Sequence, residues 1–333
     1  MAMGSDTLHL LVPGLLGPMQ NLDALHPLPK FPLLERLLSR ADKVDVAGED
    51  YESTLLPLWG VDTLQGQDRP TAALRRLGDG GEADERTWMQ VSPVHLRADR
   101  DRLLLFDVEA FDFTMEEAEG LVSLFNQHFA EIGWQLEAPG VHRWYLSVNE
   151  PPAVTTHELS QVSGRNMDLF LPEGEGALNW HSLLNEVQML FTTAEVNEQR
   201  ERCGKLPVNG AWFSGIGPLP SIADTPYTYV CADDPLVSGL ARMAGIDVRP
   251  VQEASVAGQG SGLAVYHALF PAVMRADPFE WSERLGEFER WLPNVEGQKL
   301  RLYPCNGAAY EISAKGMRRF WRRKKPLSEF IHA

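Results

Sequence analysis

The chain has 333 residues, 44% of them apolar, enough to bury a large core and long enough to favour two domains over one or three. Lysine and arginine total 30 against 46 acidic residues, so a net charge of -16 keeps the body soluble and repels phosphodiester backbones except where basic residues cluster. Cys203, Cys231 and Cys305 are an odd number with no close pair, which argues against a disulfide framework or a cysteine zinc site and fits a reducing, cytoplasmic setting.

The run from Thr7 to Gly14 lacks a basic flank and is too short to span a bilayer, so it reads as a buried first strand. No later stretch reaches the apolar length of a membrane helix, so an integral membrane protein is not expected, and no solenoid-type repeat is present. A Gly/Pro turn and the helical spacing of Leu33, Leu34, Leu37 and Leu38 open an α/β unit that the segment from Leu77 to Glu82 interrupts. Beyond it, strands are expected from Trp88 to Leu96 and from Leu103 to Asp107. A helix with Leu121, Leu124, Phe125 and Phe129 on one face follows, then two strands around Trp134 and Trp144. This ββαββ block predicts a small α+β domain at residues 81–175, inserted into an α/β core made of residues 1–80 and 176–333.

A long helix carrying Trp180, Leu183, Leu184, Val187, Leu190 and Phe191 comes next, then a polar helix that Gly204 can end. Strands near Trp212, Tyr229, Ile246 and Leu300 alternate with helices expected from Pro235 and from Leu263, so the core sheet is mostly parallel and covered on both faces. Ligands of such sheets gather at the C-terminal strand ends.

The run from Val196 to Gly217 contains Val196-Asn197, Arg200, Gly204-Lys205-Leu206-Pro207-Val208-Asn209 and a Trp212 strand ending in Gly215-Ile216-Gly217. It resembles a signature of the archaeal-type cofactor-independent phosphoglycerate mutases, in the same order and spacing. Shorter matches keep that order: Phe31-Pro32-Leu33-Leu34-Glu35, Leu58-Trp59-Gly60, Asp68-Arg69-Pro70, His142-Arg143-Trp144 and the run from Pro235 to Ala241. Within the family the chain looks closest to a bacterial branch of RpfE-type regulatory or phosphoglycerate-mutase-like proteins. The resemblance implies an alkaline-phosphatase-like core with an inserted smaller domain.

The resemblance also implies two divalent ions that clamp a phosphoryl group attacked by a serine, which demands oxygen and imidazole donors. Where the family has its first aspartate ligand, this chain has Pro13 before Gly14. Tyr51-Glu52 stands at the nucleophile position, with Ser53 out of register, and Cys305-Asn306 replaces an Asp-His ligand pair. Asp277 alone matches a family ligand, and Ala194-Glu195 replaces a His-Pro pair. No metal or other cofactor is therefore expected; the alternative, an active mutase, would need two divalent ions.

Arg143, Asn197, Arg200 and Asn209 fall on matched positions and offer a pocket for a phosphorylated small molecule or other anion. Equally, the asparagines could satisfy turn backbone while Arg200 pairs with a local glutamate. His181, Glu186 and Gln188 lie on the long helix and His157 and Arg165 in the loop region ahead of it, and a lone histidine beside apolar neighbours is more often a hydrogen-bonded core residue than a catalyst. The stretch from Ala257 to Leu263 could present backbone N–H groups to a phosphate, but it lacks a P-loop lysine and reads as a loop.

Near the C-terminus, Arg318, Arg319, Arg322, Arg323, Lys324 and Lys325 with Met317, Phe320 and Trp321 suggest a basic amphipathic helix ended by Pro326. It would either face a protein, nucleic-acid or anionic membrane partner, or pack Phe320 and Trp321 on the core. The leading expectation is a catalytically degenerate, metal-free binding or regulatory protein on the mutase scaffold. The alternatives are a metal-dependent mutase or phosphatase and a nucleic-acid-linked accessory protein.

Overall fold

The computed structural model describes residues 6–17, 22–25, 27–61, 68–149, 152–222, 225–254, 260–295, 297–313 and 315–331. In chain order, β1 (Leu8–Leu11), α1 (Pro32–Arg40), β2 (Asp42–Asp45) and α2 (Tyr51–Leu58) come first. They are followed by α3 (Thr71–Gly78), β3 (Thr87–Asp99), β4 (Arg102–Asp107), α4 (Met115–His128), β5 (Gln135–Gly140) and β6 (Arg143–Val148). Next are α5 (Leu159–Val162), α6 (Ala177–Thr192), α7 (Glu195–Arg202), β7 (Gly210–Gly217), β8 (Tyr227–Cys231), α8 (Pro235–Met243) and β9 (Val248–Arg249). The chain closes with β10 (Ser261–Val265), α9 (Phe270–Met274), α10 (Pro278–Trp291), β11 (Leu300–Tyr303), β12 (Ala308–Ile312) and α11 (Ser328–Ile331). Helix starts follow local chemistry: Asp234 and Asp277 accept backbone N–H bonds at the heads of α8 and α10, each ahead of a proline, and Thr114 with Glu117 forms a capping box on α4.

Residues Met1–Asp62 and Ile222–Ala333 make one compact unit, and Thr63–Ser221 the other. In the first, the sheet runs β2-β12-β11-β1-β10-β8-β9, with β11, β1, β10, β8 and β9 parallel and β12 reversed. Side chains alternate across it. Leu8, Leu10, Ala264, Leu300 and Leu302 face one way, into a core closed by Leu34, Leu37 and Leu38 of α1 and Trp281, Leu285 and Phe288 of α10. On the other face, Trp59 at the end of α2 meets Tyr227 at 5.4 Å between ring centroids. This is the expected α/β architecture with a mostly parallel sheet flanked by helices.

The second unit is an antiparallel five-stranded sheet whose spine is the 13-residue β3, paired with β6 and β4 on one side and β7 on the other. Met89, Val91, Trp144, Leu146 and Phe213 pack under Leu121 and Phe125 of α4 and Trp180, Leu183, Val187 and Phe191 of α6. The expected ββαββ order is present from β3 to β6, and Gly204 at φ +70 ends α7 as anticipated. The unit is wider than the expected 81–175 because β7 completes its sheet and α6 covers it. Asp68, in addition, accepts hydrogen bonds from Thr156 N, Thr156 Oγ1 and Ile216 N at 2.9, 2.5 and 3.1 Å.

Two expectations are corrected. The helix expected from Leu263 is the central strand β10: a short apolar run fits either element, and Gly262 is needed where the Tyr229 ring crosses the strand, since a Cβ there would lie 2.0 Å from Tyr229 Cζ. Of the phosphate-loop reading, Gly260 to Leu263 thus belongs to that strand and its entry, and 255–259 lie outside the described residues. The basic helix expected from Lys315 is a single 3-10 turn, Gly316–Arg318, followed by an irregular strap. Arginines on the strap reach back to the carbonyl end of α1, and the resulting bonds compete successfully with helix formation.

Candidate functional site

The strand tips of the first unit are where the resemblance would place chemistry. β1 runs into Val12-Pro13-Gly14, and the Gly14 carbonyl accepts a bond from Trp281 Nε1 at 2.8 Å. Ser53 sits in the first turn of α2, where its backbone N–H donates to Asp50 Oδ1 at 2.7 Å and its Oγ accepts from Asp50 N at 3.1 Å. That capping box explains a serine at this spacing without any reacting partner. Cys305, just past β11, is buried with φ +62; burial pushes its thiol well above the ordinary range, with Glu52 and Asp50 adding to the rise against a Thr54 hydrogen bond. Asp277 Oδ1 accepts from Phe279 N and Glu280 N, both at 3.0 Å. His267, beyond β10, lies edge-on to Tyr51 and Phe270 at 5.3 and 5.2 Å.

Among the described residues, no three His, Cys, Asp or Glu side chains converge as a metal-binding group. The donor chemistry gives the same result. A two-metal clamp needs several oxygen or imidazole ligands aimed at common points. The matching positions instead hold a proline, a thiol biased toward its protonated form, and carboxylates engaged at helix N-termini. They do not fit such a centre.

Asn197, Arg200 and Asn209 come together, and what they surround is their own signature turn. Asn197, 1% exposed, donates from Nδ2 to the carbonyls of Phe191 and Val208 at 2.7 and 2.9 Å and accepts from Val208 N at 2.7 Å. Arg200, 2% exposed, donates from Nε to Leu206 O and from Nη1 to Asp112 O and Glu117 Oε2, each at 2.8 Å. His95 Nδ1 bonds the Pro207 carbonyl at 2.9 Å. Asn209 extends the β3 ladder like a backbone unit, accepting from Leu96 N at 2.7 Å and donating to Leu96 O at 3.0 Å. Arg143 lies apart from them, bidentate to Asp79 at 2.9 and 3.0 Å. His181 and His157 bond the carbonyls of Pro172 and Phe170, Arg165 donates to Gln161 O, and Glu186 pairs with His128.

The C-terminal strap forms a groove of about 600 Å³ against α1. Arg36 and Arg40 line it from α1, and Phe320, Arg322, Arg323 and Lys324 from the strap. Arg322 Nη1 donates to the carbonyls of Arg40 and Ala41 at 3.2 and 2.5 Å, and Nη2 to Asp42 Oδ1 at 2.7 Å; Arg319 Nη1 reaches the same oxygen at 2.6 Å. Cations at the carbonyl end of a helix are favourably placed. Bonds from Arg319 and Arg322 hold the Asp42 carboxyl down to about 2. Lys324 pairs with Glu35 and Lys325 with Glu329 at 2.7 and 3.1 Å. Among the described residues Arg318 and Arg323 make no ion pair or side-chain hydrogen bond. Phe320 and Trp321, 83% and 67% exposed, do not pack on the core, so the inward-packing expectation for them is overturned.

Sequence reasoning missed two features. Arg36 and Arg40 are four apart and share a helix face, the signal that would have placed them opposite the basic tail. His9, in the alternating run Leu8-His9-Leu10, has Nδ1 in a 2.9 Å hydrogen bond with the Tyr303 hydroxyl and its ring edge-on to Tyr227. Burial, then the charges of Arg301 and Lys299, lowers its pKa to about 4, so it is neutral at physiological pH. No helix among the described residues is long and apolar enough to cross a membrane.

A probable 2,3-bisphosphoglycerate-independent phosphoglycerate mutase from Geobacter sulfurreducens is 28% identical over 173 residues, which make up 50% of this chain and 43% of that protein. The chain thus spans less than half the length of the curated relative it matches. Among solved structures, the cofactor-independent phosphoglycerate mutase from Thermoplasma acidophilum aligns with a TM-score of 0.46 at 17% identity, over 98% of this chain and 95% of that one. The PH0037 protein from Pyrococcus horikoshii aligns with 0.49 at 15% identity, over 90% and 81%. No family model matches the chain. The resemblance carried by the signature around Asn197 to Gly217 agrees with the first of these relatives.

Proposed function

We propose that this phosphoglycerate-mutase-like chain is a catalytically degenerate member of its scaffold family, a cytoplasmic bacterial protein of the RpfE-type regulatory kind that acts by binding. The observation that carries the reading is the state of the strand tips. Pro13 has no donor atom, Ser53 and Asp277 are engaged at the heads of α2 and α10, and Cys305 is buried with its thiol biased toward protonation. The resemblance persists where residues hold a turn together, at Asn197, Arg200 and Asn209, and fails where they would hold metal. Those residues remain candidates for an anion site only if a ligand displaces the bonds they already make, which would cost about 1 kcal/mol or more for each.

The test is metal analysis of the purified chain together with interconversion of 2- and 3-phosphoglycerate in the presence of manganese or zinc. The reading expects no stoichiometric metal and no turnover. Turnover abolished by a chelator would overturn it.

A further inference from the structure

We infer that the groove between α1 and the strap after Gly316 binds single-stranded nucleic acid. The inference goes beyond the reading above and holds whether or not the strand tips retain any chemistry.

Charge is the first argument. The strap carries seven basic residues between Lys315 and Lys325 in a chain whose net charge is -16, so this face is opposite in sign to the molecule as a whole. Asp42, Glu35 and Glu329 offset some of that charge by pairing with Arg319, Arg322, Lys324 and Lys325. Glu289 is the acidic residue lining the groove, and both its carboxylate oxygens accept backbone N–H bonds from Leu33 and Leu34 at 2.6 and 2.9 Å. Arg36, Arg40 and Arg323 line the groove, Arg40 with one guanidinium nitrogen on the Met317 carbonyl, while Arg323 and, on the same strap, Arg318 make no ion pair among the described residues.

Shape and aromatic character select the anion. Phe320 and Trp321 stand in solvent with ring centroids 5.3 Å apart and planes at 80°, so they do not stack on each other and each keeps a face for a base. Arginines flanking a pair of exposed rings on one strap, with Phe320 and Arg323 lining the groove, are the two elements that bind an unpaired strand, phosphates on the cations and bases on the rings. A cleft of about 600 Å³ has the size of a small-ligand site, which suits a splayed strand and not a double helix. A duplex also carries twice the axial charge of one strand, and the acidic body repels it more strongly. An anionic bilayer fits less well. The strap is pinned to α1 by Arg322 and by Leu327, 1% exposed, and beyond the single turn Gly316–Arg318 it is not the amphipathic helix that lies in a bilayer interface.

The test is fluorescence anisotropy of labelled 15-nucleotide dT and rU strands with the full chain at roughly 50 mM salt, where phosphate contacts are strong. Binding of either strand is expected, with log affinity falling against log salt at a slope of about -2, as for about three phosphate contacts. Arg318→Ala with Arg323→Ala should flatten that slope. Phe320→Ala with Trp321→Ala should weaken binding at least about fivefold while leaving the slope unchanged. All four side chains are exposed, so circular dichroism should show the native fold in each variant. Absence of binding, equal binding by the variants, equal affinity for duplex or a mononucleotide, or displacement by poly-glutamate as effective as by dT would each overturn the inference. So would a preference for phosphatidylserine vesicles over either strand.

Discussion

Replacing Asn197 by alanine separates a turn-holding residue from a ligand-binding one. The side chain makes three hydrogen bonds to backbone groups in a site 1% exposed. At roughly 1 kcal/mol net for each, Asn197→Ala should destabilise the Thr63–Ser221 unit by about 3 kcal/mol. Much of that loss is the buried Val208 N–H left without its acceptor, since Phe191 O still accepts from Ala194 N at 3.1 Å. For a unit of this size the melting temperature should fall by about 6–12 °C. Urea unfolding followed by tryptophan fluorescence measures the loss directly, because Trp144, Trp180 and Trp212 all lie in this unit's interior. A loss below about 1 kcal/mol, combined with an anion-induced stabilisation present in the wild type and missing in the variant, would refute the structural account and restore Asn197 as a ligand contact.

Two further outcomes follow from buried titratable groups. His9 has a folded pKa of about 4 against an ordinary value of 6.5, so between those values the unfolded chain binds a proton that the folded chain refuses. Stability is complete above about pH 6.5 and falls with acidification, by about 2 kcal/mol between pH 7 and pH 5 relative to His9→Gln, and equal pH dependence of the two proteins in urea would contradict this. Cys203 is exposed, whereas burial pushes Cys231 up to about 11 and Cys305 higher still. A thiol reagent at pH 8 should label Cys203 alone in the native protein and all three cysteines in denaturant; native labelling of Cys305 would be inconsistent with its placement.

Much of the architecture was legible because its periodicities are local. The α4 face, the α6 stripe and the Gly204 stop each declare themselves within a few turns of chain. β10 did not, since Leu263-Ala264-Val265 is an apolar run with no period, and its strand identity comes from neighbours β1 and β8 that are distant in sequence. The strap failed as a helix for a related reason. Arg319 and Arg322 are good helix formers, but the carbonyls of Arg40 and Ala41 and the carboxylate of Asp42 lie nearly 280 positions away and offer better bonds.

The candidate site divides the same way. Residue types told correctly that Pro13 has no donor atom. They could not tell whether Asn197, Arg200 and Asn209 faced a ligand or a turn. That depends on Leu206, Pro207 and Val208 offering their backbone groups inward, a matter of chain path and not of composition.

The two borders of the mostly parallel sheet differ in sequence but share one consequence. One border is β2, four residues reading Asp-Lys-Val-Asp with Lys43, Val44 and Asp45 exposed, and the other is the two-residue β9. A neighbouring molecule that tried to add a strand at the first border would press charged groups into a dehydrating seam, and at the second would find too few amides to grip. Growth of this sheet by strand addition is thus disfavoured at both of its borders.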